Sequence, residues 1–519
     1  MPETVCPRPT RSLAALAGLA LLAACSPAAD PVDTRADLPE RFSASGEAPR
    51  PDPWWRAFED PQLTKLVERA LEHRPSLRET WARLAQARAI AGRTAAERWP
   101  SLDATGEASR QDSGDLRAES GGARGPRSSP AAVQGSDGQS YNVGLSASYE
   151  LDLWGRIDAR ADAARLDARA TRQQLEAAAL SLSGEVADTW YRLVAERARL
   201  DLLRRQLETN RTVERIVEVR VLQGQAGLAD LLRQRELVQQ TQEQIAAAEG
   251  QVRLIENELA VLLGRAPRNG DLPDARRLPD TPALPRTGVP AELIARRPDV
   301  QEALLRVKAA DKRVAAAIAE RFPRIDLTAS LRSAAARPGD LLTTWTSNLA
   351  AQLSLPLFDA GRRKAEVDRT EAVVAQRLAA FEDTALTALR EVEDALARFD
   401  QQRRRIDRLN RQIDLARQSV ERLRARYVNA DADYLDVLDT LTRVQTLERQ
   451  LISARRQRLA ARVTLSRALA GDVDAPAPSG EAFDLLIPAD RGDDADANRP
   501  DTTKANTTKA ETTKAEGRT

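Results

Sequence analysis

The clearest hydropathy pattern in the chain is a strict alternation. Tyr141, Val143, Leu145, Ala147, Tyr149, Leu151 and Leu153 are separated by Asn142, Gly144, Ser146, Ser148, Glu150 and Asp152. A period of two predicts a strand with one apolar and one polar face. A second run sets Leu102, Ala104, Gly106 and Ala108 against Asp103, Thr105, Glu107 and Ser109. A third sets Ile325, Leu327, Ala329 and Leu331 against Asp326, Thr328, Ser330 and Arg332. In a fourth, Leu349, Ala351, Leu353, Leu355 and Leu357 alternate, with Gln352 and Ser354 between them. Strands are expected at about 101–110, 140–153, 324–333 and 344–357.

Elsewhere the period is helical. Val392, Phe399, Ile406, Ile413, Val420 and Tyr427 are spaced by seven, and subtracting 206 gives Val186, Leu193, Leu200, Leu207, Glu214 and Val221. Sustained heptads predict helices packed along a seam. No proline interrupts Gly155–Gly224 or Gly361–Asn429. At 1.5 Å per residue such a rod is roughly 100 Å long, far more than a membrane is thick. Helices are expected at about 76–98, 155–223, 228–264, 298–321, 361–428 and 433–470, with a short one near Pro61–Leu71.

These elements occur twice. Arg74-Pro75 and Trp99-Pro100 recur as Arg297-Pro298 and Phe322-Pro323, and both 298 − 75 and 323 − 100 give 223. Arg220-Val221 recurs as Arg426-Tyr427, at an offset of 426 − 220 = 206. The difference of 17 is accounted for by a shorter hairpin loop in the second copy, around Ala334–Leu342 against Arg110–Gln139. The first repeat is placed at 54–280 and the second at 281–471, joined by the proline-rich stretch Asp271–Pro290. Proline ends each helix before a strand. Glycine at Gly155 and Gly361 permits the sharp change from strand to rod.

Composition favours long solvated helices over a thick globular core. Aromatics are only 4% and charged residues 30% of the 519 residues. With 78 basic and 77 acidic residues there is no bulk attraction to nucleic acid. Residues 472–519 turn acidic and then repeat Thr-Thr-Lys, with almost no apolar content, and are expected to be disordered. One histidine, His73, and two cysteines leave no nucleophile–base pair or metal cluster, which argues against an enzyme. No cofactor and no metal site is expected.

The N-terminus reads as a secretory signal, with Arg8 and Arg11 ahead of a short apolar core. Its end, Leu22-Ala23-Ala24-Cys25, resembles the bacterial lipobox. That resemblance implies a signal at 1–24, cleavage before Cys25, and diacylglycerol and N-acyl lipid on Cys25, with 25–53 as a lipidated tether. Ser26 in place of Asp favours the outer membrane. The alternative is a plain signal cut elsewhere.

Beyond the leader no stretch has 18 uncharged apolar residues, so any membrane-spanning part is β. Four strands form an open sheet with unsatisfied edges, which lipid does not tolerate. Three chains supply twelve, enough for a barrel with a lumen. A soluble lipoprotein with a small sheet and coiled coils is the alternative. Tyr141, Tyr149, Trp154 and Trp345 suit a membrane interface and equally suit ordinary strand packing.

Specific motifs sharpen this. Trp54-Trp55-Arg56-x-Phe58-x-Asp60-Pro61-x-Leu63, Leu151-Asp152-Leu153-Trp154-Gly155-Arg156 and Leu435-Asp436-Val437-Leu438-Asp439 occur in that order. Together they resemble the TolC-type outer-membrane factors, in particular the NodT-like lipoproteins that serve resistance-nodulation-division efflux pumps. The resemblance spans roughly Pro53–Gly471. It implies a mostly α chain with a β-barrel part: a homotrimer whose twelve-stranded barrel crosses the outer membrane and continues as a periplasmic α-barrel. It also implies a periplasmic adaptor and an inner-membrane transporter as partners, and a passive exit duct as function. A duct for type I protein secretion and a non-channel periplasmic scaffold are the alternatives.

The family closes its tip with inward carboxylates and a polar lock. The resemblance assigns the carboxylates to Asp436 and Asp439, three apart and so on one helix face. Read alone, both are also ordinary acids in the first turns of the helix after the tip, favoured by its dipole. Where some members carry a lock arginine this chain has Ala432, and Tyr427, which matches the tip tyrosine, is equally a heptad position. Gly224, Gly227, Leu228, Asn429, Asp431 and Asp433 fall in the two tip turns and are the expected adaptor contacts.

Overall fold

The computed structural model describes residues 39–48, 53–111, 138–267, 272–429, 431–469, 473 and 475–477. The signal, the lipidation site Cys25, most of the first hairpin loop and the tail beyond 477 lie outside them.

Eight helices and four strands are present among the described residues. The first repeat comprises α1 (Pro61–His73), α2 (Pro75–Ala96), β1 (Ser101–Gln111), β2 (Gly138–Leu151), α3 (Arg156–Leu222) and α4 (Leu228–Leu262). The second comprises α5 (Pro290–Arg296), α6 (Pro298–Ala319), β3 (Arg324–Ala335), β4 (Thr346–Ser354), α7 (Arg362–Val428) and α8 (Tyr434–Leu469). Short 3₁₀ turns lie at Trp54–Phe58 and Pro338–Asp340.

Local chemistry sets the boundaries. Proline occupies the start of α1, α2, α5 and α6, where its missing N–H costs nothing. Asp60 caps α1, accepting from the N–H groups of Gln62 at 2.9 Å and Leu63 at 3.1 Å. Both rods start after a glycine in the left-handed region, Gly155 at φ 71° and Gly361 at φ 85°. Each rod has 67 residues, about 100 Å of helix.

The rods carry the packing. Rod α3 lies against α2 and α4 of its own repeat and against α6 and α8 of the other, whereas α7 lies against α6 and α8. The heptad positions are its seams: Val186, Leu193 and Val392 are fully buried, and Ile406, Ile413 and Val420 nearly so. The largest apolar cluster locks the N-terminal turn onto α3. There Trp54, Trp55 and Phe58 pack with Trp190, Tyr191 and Leu259, and the Trp54 indole donates to Ser183 Oγ at 3.1 Å.

The stretch read as a tether is docked over 39–48. Phe42 is buried among α6 and α7 side chains, Ser43 N–H donates to Glu393 at 2.9 Å, and Ala48 forms a parallel bridge to Pro285. Gly46 is required there, because a Cβ would stand 1.8 Å from the Leu284 carbonyl oxygen. Helix α5 was not expected, being too short to show a period. The last strand differs from its sequence reading. Alternation runs to Leu357, yet β4 ends at Ser354, where β3 itself begins at Arg324 and offers no further partner.

Candidate functional site

Two regions stand out as candidate functional surfaces: the two-faced sheet and the tip formed by the rod ends.

The strands lie in the order β1-β2-β3-β4, all antiparallel. Register keeps the two faces separate. Leu102 pairs with Ala147, Leu145 with Leu331, Tyr149 with Leu327 and Ile325 with Leu353. On the other face Asp103 pairs with Ser146, Glu107 with Asn142, Glu150 with Asp326 and Asp326 with Gln352. Opposed side chains share a face, so one surface is apolar and the other lined by carboxylates, amides and hydroxyls. The adjacent Glu150 and Asp326 carboxylates are balanced by Arg156, 2.7 and 3.1 Å from Glu150, and Arg324, 3.1 Å from Asp326. The apolar face has no protein cover: Leu102 is 71% and Leu349 82% exposed. Both outer edges, β1 and β4, are unpaired in the protomer. No described helix is long and apolar enough to cross a membrane.

Where sheet meets rod, the Trp154 indole stacks on Phe322 at 4.8 Å and donates to the Pro323 carbonyl oxygen at 2.7 Å. This pins the start of the first rod to the turn before β3, across the two repeats.

At the far end each rod closes in a tight turn. In the first, Gly224 takes φ 69° and Gln225 N–H donates to Arg220 O at 2.8 Å. Gly227 precedes α4, and its N–H reaches Asp230 Oδ2 at 3.4 Å. In the second, Asn429 N–H donates to Arg426 O at 3.1 Å, and Arg426 Nε binds Asp431 Oδ2 at 3.2 Å. Asp433 accepts from Leu435 N–H at 3.2 Å as α8 begins. Gly224, Gly227, Leu228, Asn429, Asp431 and Asp433 are all exposed. So are the apolar Leu222, Leu228 and Val428, at 82%, 61% and 69%.

Asp436 and Asp439 lie on the exposed side of α8, opposite the buried Tyr434, Val437 and Leu441. The protomer does not gather them with other carboxylates: among the described residues no group of three metal-ligating side chains occurs. Asp439 has a neighbour the sequence reading passed over, Arg443, one turn on at 3.4 Å.

A polar core behind the tip was also missed. Tyr434 donates to Gln234 Oε1 at 2.5 Å, and Gln234 Nε2 donates to the Asn210 carbonyl oxygen at 2.6 Å. Asn210 Nδ2 donates to Thr241 at 3.0 Å, while its Oδ1 accepts from Gln445 Nε2 at 2.7 Å. The chain of bonds joins α3 and α4 of one repeat to α8 of the other. Burial, with smaller contributions from Tyr427 and Asp230, raises the pKa of the Tyr434 hydroxyl, which keeps it protonated as a donor. A break in the apolar repeat could have flagged this layer, since Asn210 is seven residues from both Leu203 and Val217, which are fully buried.

A sheet with one bare apolar face, one polar face and two free edges, continued by rods of about 100 Å, has the form of one protomer's share of a membrane channel with a long helical extension. The sequence profile described as "Outer membrane efflux protein" matches residues 66–265 and 289–471. The pyoverdine export outer membrane protein OpmQ of Pseudomonas aeruginosa is 32% identical over 470 residues, covering 89% of this chain and 97% of that protein. The cation efflux system protein CusC of Escherichia coli O157:H7 is 28% identical, covering 87% of this chain and 96% of its own length. The open state of the Neisseria gonorrhoeae MtrE outer membrane channel superposes with a TM-score of 0.77 at 27% identity, over 88% of this chain and all of that one. The chain belongs to the outer membrane efflux protein family. It is an outer-membrane channel of tripartite efflux pumps, extending into the periplasm, and not an enzyme.

Proposed function

We propose that the chain works as a homotrimeric, passively conducting exit duct, fed by a periplasmic adaptor and an inner-membrane resistance-nodulation-division transporter. The observation that carries this is the sheet: one apolar face, one polar face and two free edges. Three such sheets make a twelve-stranded wall with lipid outside and water inside. The exposed leucines and valine at the rod turns, with Asn429, Asp431 and Asp433, support the tips as the adaptor's docking surface. Lipid on Cys25 would add an anchor to the barrel's own hold on the membrane. One relative's name gives pyoverdine and another's gives cations, which are chemically unlike cargoes. That contrast supports selection residing in the transporter rather than in the duct wall.

Asp436 and Asp439 form the gate in this reading, brought together as rings of like charge by the threefold axis. Crowded carboxylates attract cations and repel one another. Purified protein in planar lipid bilayers tests it. The native chain should conduct in small steps that multivalent cations block, and Asp436→Ala/Asp439→Ala should raise conductance and weaken the block. A trimer with no conductance in either form would refute the duct.

A further inference from the structure

Near the N-terminal turn, the layer of α3, α4 and α8 is covered on one side. Trp190 packs with that turn, Arg197 donates to the Pro273 carbonyl oxygen at 2.6 Å, and Asp201 binds Arg276 at 3.2 Å. On α8, Arg462 donates to the Ala283 carbonyl oxygen at 3.2 Å. These side chains carry the turn and the stretch that links the repeats. Nine residues, about two and a half turns, separate Trp190 from Arg199, Arg192 from Asp201 and Ser453 from Arg462. The members of each pair therefore lie on opposite sides of their helix.

On the other side the three helices enclose a cleft of about 560 Å³. Arg192, Arg199, Arg449 and Arg456 line it, with Glu196 as the single carboxylate in the lining. The four cations are not equally compensated. Arg192 is held by both oxygens of Glu258 at 3.0 Å, Arg199 by Glu196 at 3.1 Å, and Arg456 stands 3.8 Å from Asp188. Arg449 instead donates to neutral groups, Gln206 Oε1 at 2.8 Å and Thr446 Oγ1 at 3.1 Å. Among the described residues it has no carboxylate partner. Glu448, whose charge favours it, is bound by Arg417 at 2.6 Å. Burial, and then the Arg199 charge, lower the pKa of Arg449. A guanidinium has five N–H groups, and the bonds described use two. Arg449 is thus a half-buried cation beside a second cation, with donors to spare and no counter-charge.

We propose that this cleft binds an organic oxyanion, a carboxylate- or phosphate-bearing solute, with Arg449 as its principal contact and Arg199 as the second. A guanidinium grips the oxygens of either group in pairs. Ile255 and Ile452 in the lining offer an apolar surface to the organic part. The volume lies within the range of small-molecule sites, about 300–1,000 Å³.

The site is complete within one protomer; its place in the duct rests on the homotrimer reading. A bore cannot hold three N-terminal turns and three linkers and stay open. The covered side is then the outside, and the cleft opens inward. Three such sites would retain anionic solutes as a class without choosing one cargo among them.

Calorimetric titration of the purified full chain in detergent, at constant ionic strength and without divalent cations, tests the site with citrate and with inorganic phosphate. Both should bind saturably, and citrate more tightly. Arg449→Gln should weaken citrate binding about tenfold or more, the loss of a charged hydrogen bond, and Arg199→Gln should weaken it less. Arg404→Gln removes an equal charge from the exposed surface of α7 and should change it less than about twofold. Ser453→Glu keeps every arginine and sets a carboxylate one helical turn from Arg449. It should abolish citrate binding and melt no lower than the native chain. No saturable binding, equal weakening by Arg404→Gln, or native binding by Ser453→Glu would overturn the site. In planar bilayers citrate should lower the current of the native chain and not that of Arg449→Gln. Binding without that effect would overturn the inward placement. A chain that binds citrate yet conducts nothing would sink the duct reading and leave the site standing.

Discussion

Arg220, near the end of the first rod, donates from Nη1 to the carbonyl oxygen of Tyr427 at 2.8 Å, and its guanidinium stands 4.3 Å from the centre of the Tyr427 ring. The contact crosses the repeats. Its counterpart Arg426 instead binds Asp431 within its own turn, at 3.2 Å. Equivalent arginines therefore do different work: one shapes a turn and the other ties the first hairpin to the second. Position 432, where some relatives of the TolC type carry an arginine, is alanine here. The tip tyrosine is nonetheless held by an arginine, supplied by the other repeat.

Arg220→Ala should therefore loosen the tip. A bond to a charged donor and a cation–π contact together are worth about 1–3 kcal/mol, so the ratio of open to closed time in bilayer recordings should rise roughly 5- to 150-fold. Arg220→Lys should recover only part of this, since a point charge cannot both stack and donate as the guanidinium does. Tyr427→Leu should raise opening by itself, and the double variant should fall short of the combined effects. Full additivity would mean that the two side chains act separately.

The buried polar layer should behave as a unit. Asn210→Leu leaves the Gln445 amide without its acceptor in a site from which water is excluded, at a cost of about 1–3 kcal/mol. Gln445→Leu strands Asn210 Oδ1 at a similar cost. With both replaced, the loss should be smaller than the two losses together, as for groups sharing one network. Thermal unfolding of the purified protein in detergent measures all three. Additive losses would show that the layer is not coupled across the repeats.

The sequence carried the large-scale plan because that plan is periodic. Alternation marked β2, heptads marked α3 and α7, and proline and glycine marked the ends of each, since these residues constrain the backbone by themselves. The family motifs added the strand-to-rod junction and the placement of Asp436 and Asp439. What was not legible depends on contacts between elements distant in the chain. Arg220 was visible only as a repeat landmark, because nothing local says it reaches Tyr427. The Gln234–Asn210–Gln445 layer uses residue types that normally face water on a helix. Helix α5 has 7 residues, too few for a period to show. The end of β4 was read from its own alternation, whereas a strand ends where its neighbour does.

Asp439 has a cation within reach, Arg443. It lies 3.4 Å from Asp439, with both side chains largely exposed. Such a pair is worth about 0.2–1 kcal/mol and is screened by salt. Arg443→Gln should strengthen block by divalent cations about 1.5- to 5-fold at low ionic strength, and the gain should fade as salt is raised. An unchanged blocking constant at low salt would mean that Asp439 does not face the ion path. The result would separate a gate carboxylate from an ordinary exposed acid on the helix surface.

Asp60 uses its two oxygens for different tasks, and two substitutions separate them. Oδ1 caps α1, and Oδ2 accepts from the Trp190 indole at 3.0 Å. Trp190 is 1% exposed, so water cannot replace that acceptor. Asp60→Asn keeps an oxygen for the cap and puts an amide nitrogen, which cannot accept, where Oδ2 was. It should cost about 1–3 kcal/mol, the loss of one buried acceptor. Asp60→Ala loses the cap as well and should cost about 1 kcal/mol more. Both should expose the Trp54–Phe58 turn. Limited proteolysis should then cut within residues 39–60 sooner than in the native chain, with the alanine variant cut first. Equal losses for the two variants would mean that the cap contributes nothing and that the Trp190 bond alone fixes the N-terminal turn to the rod.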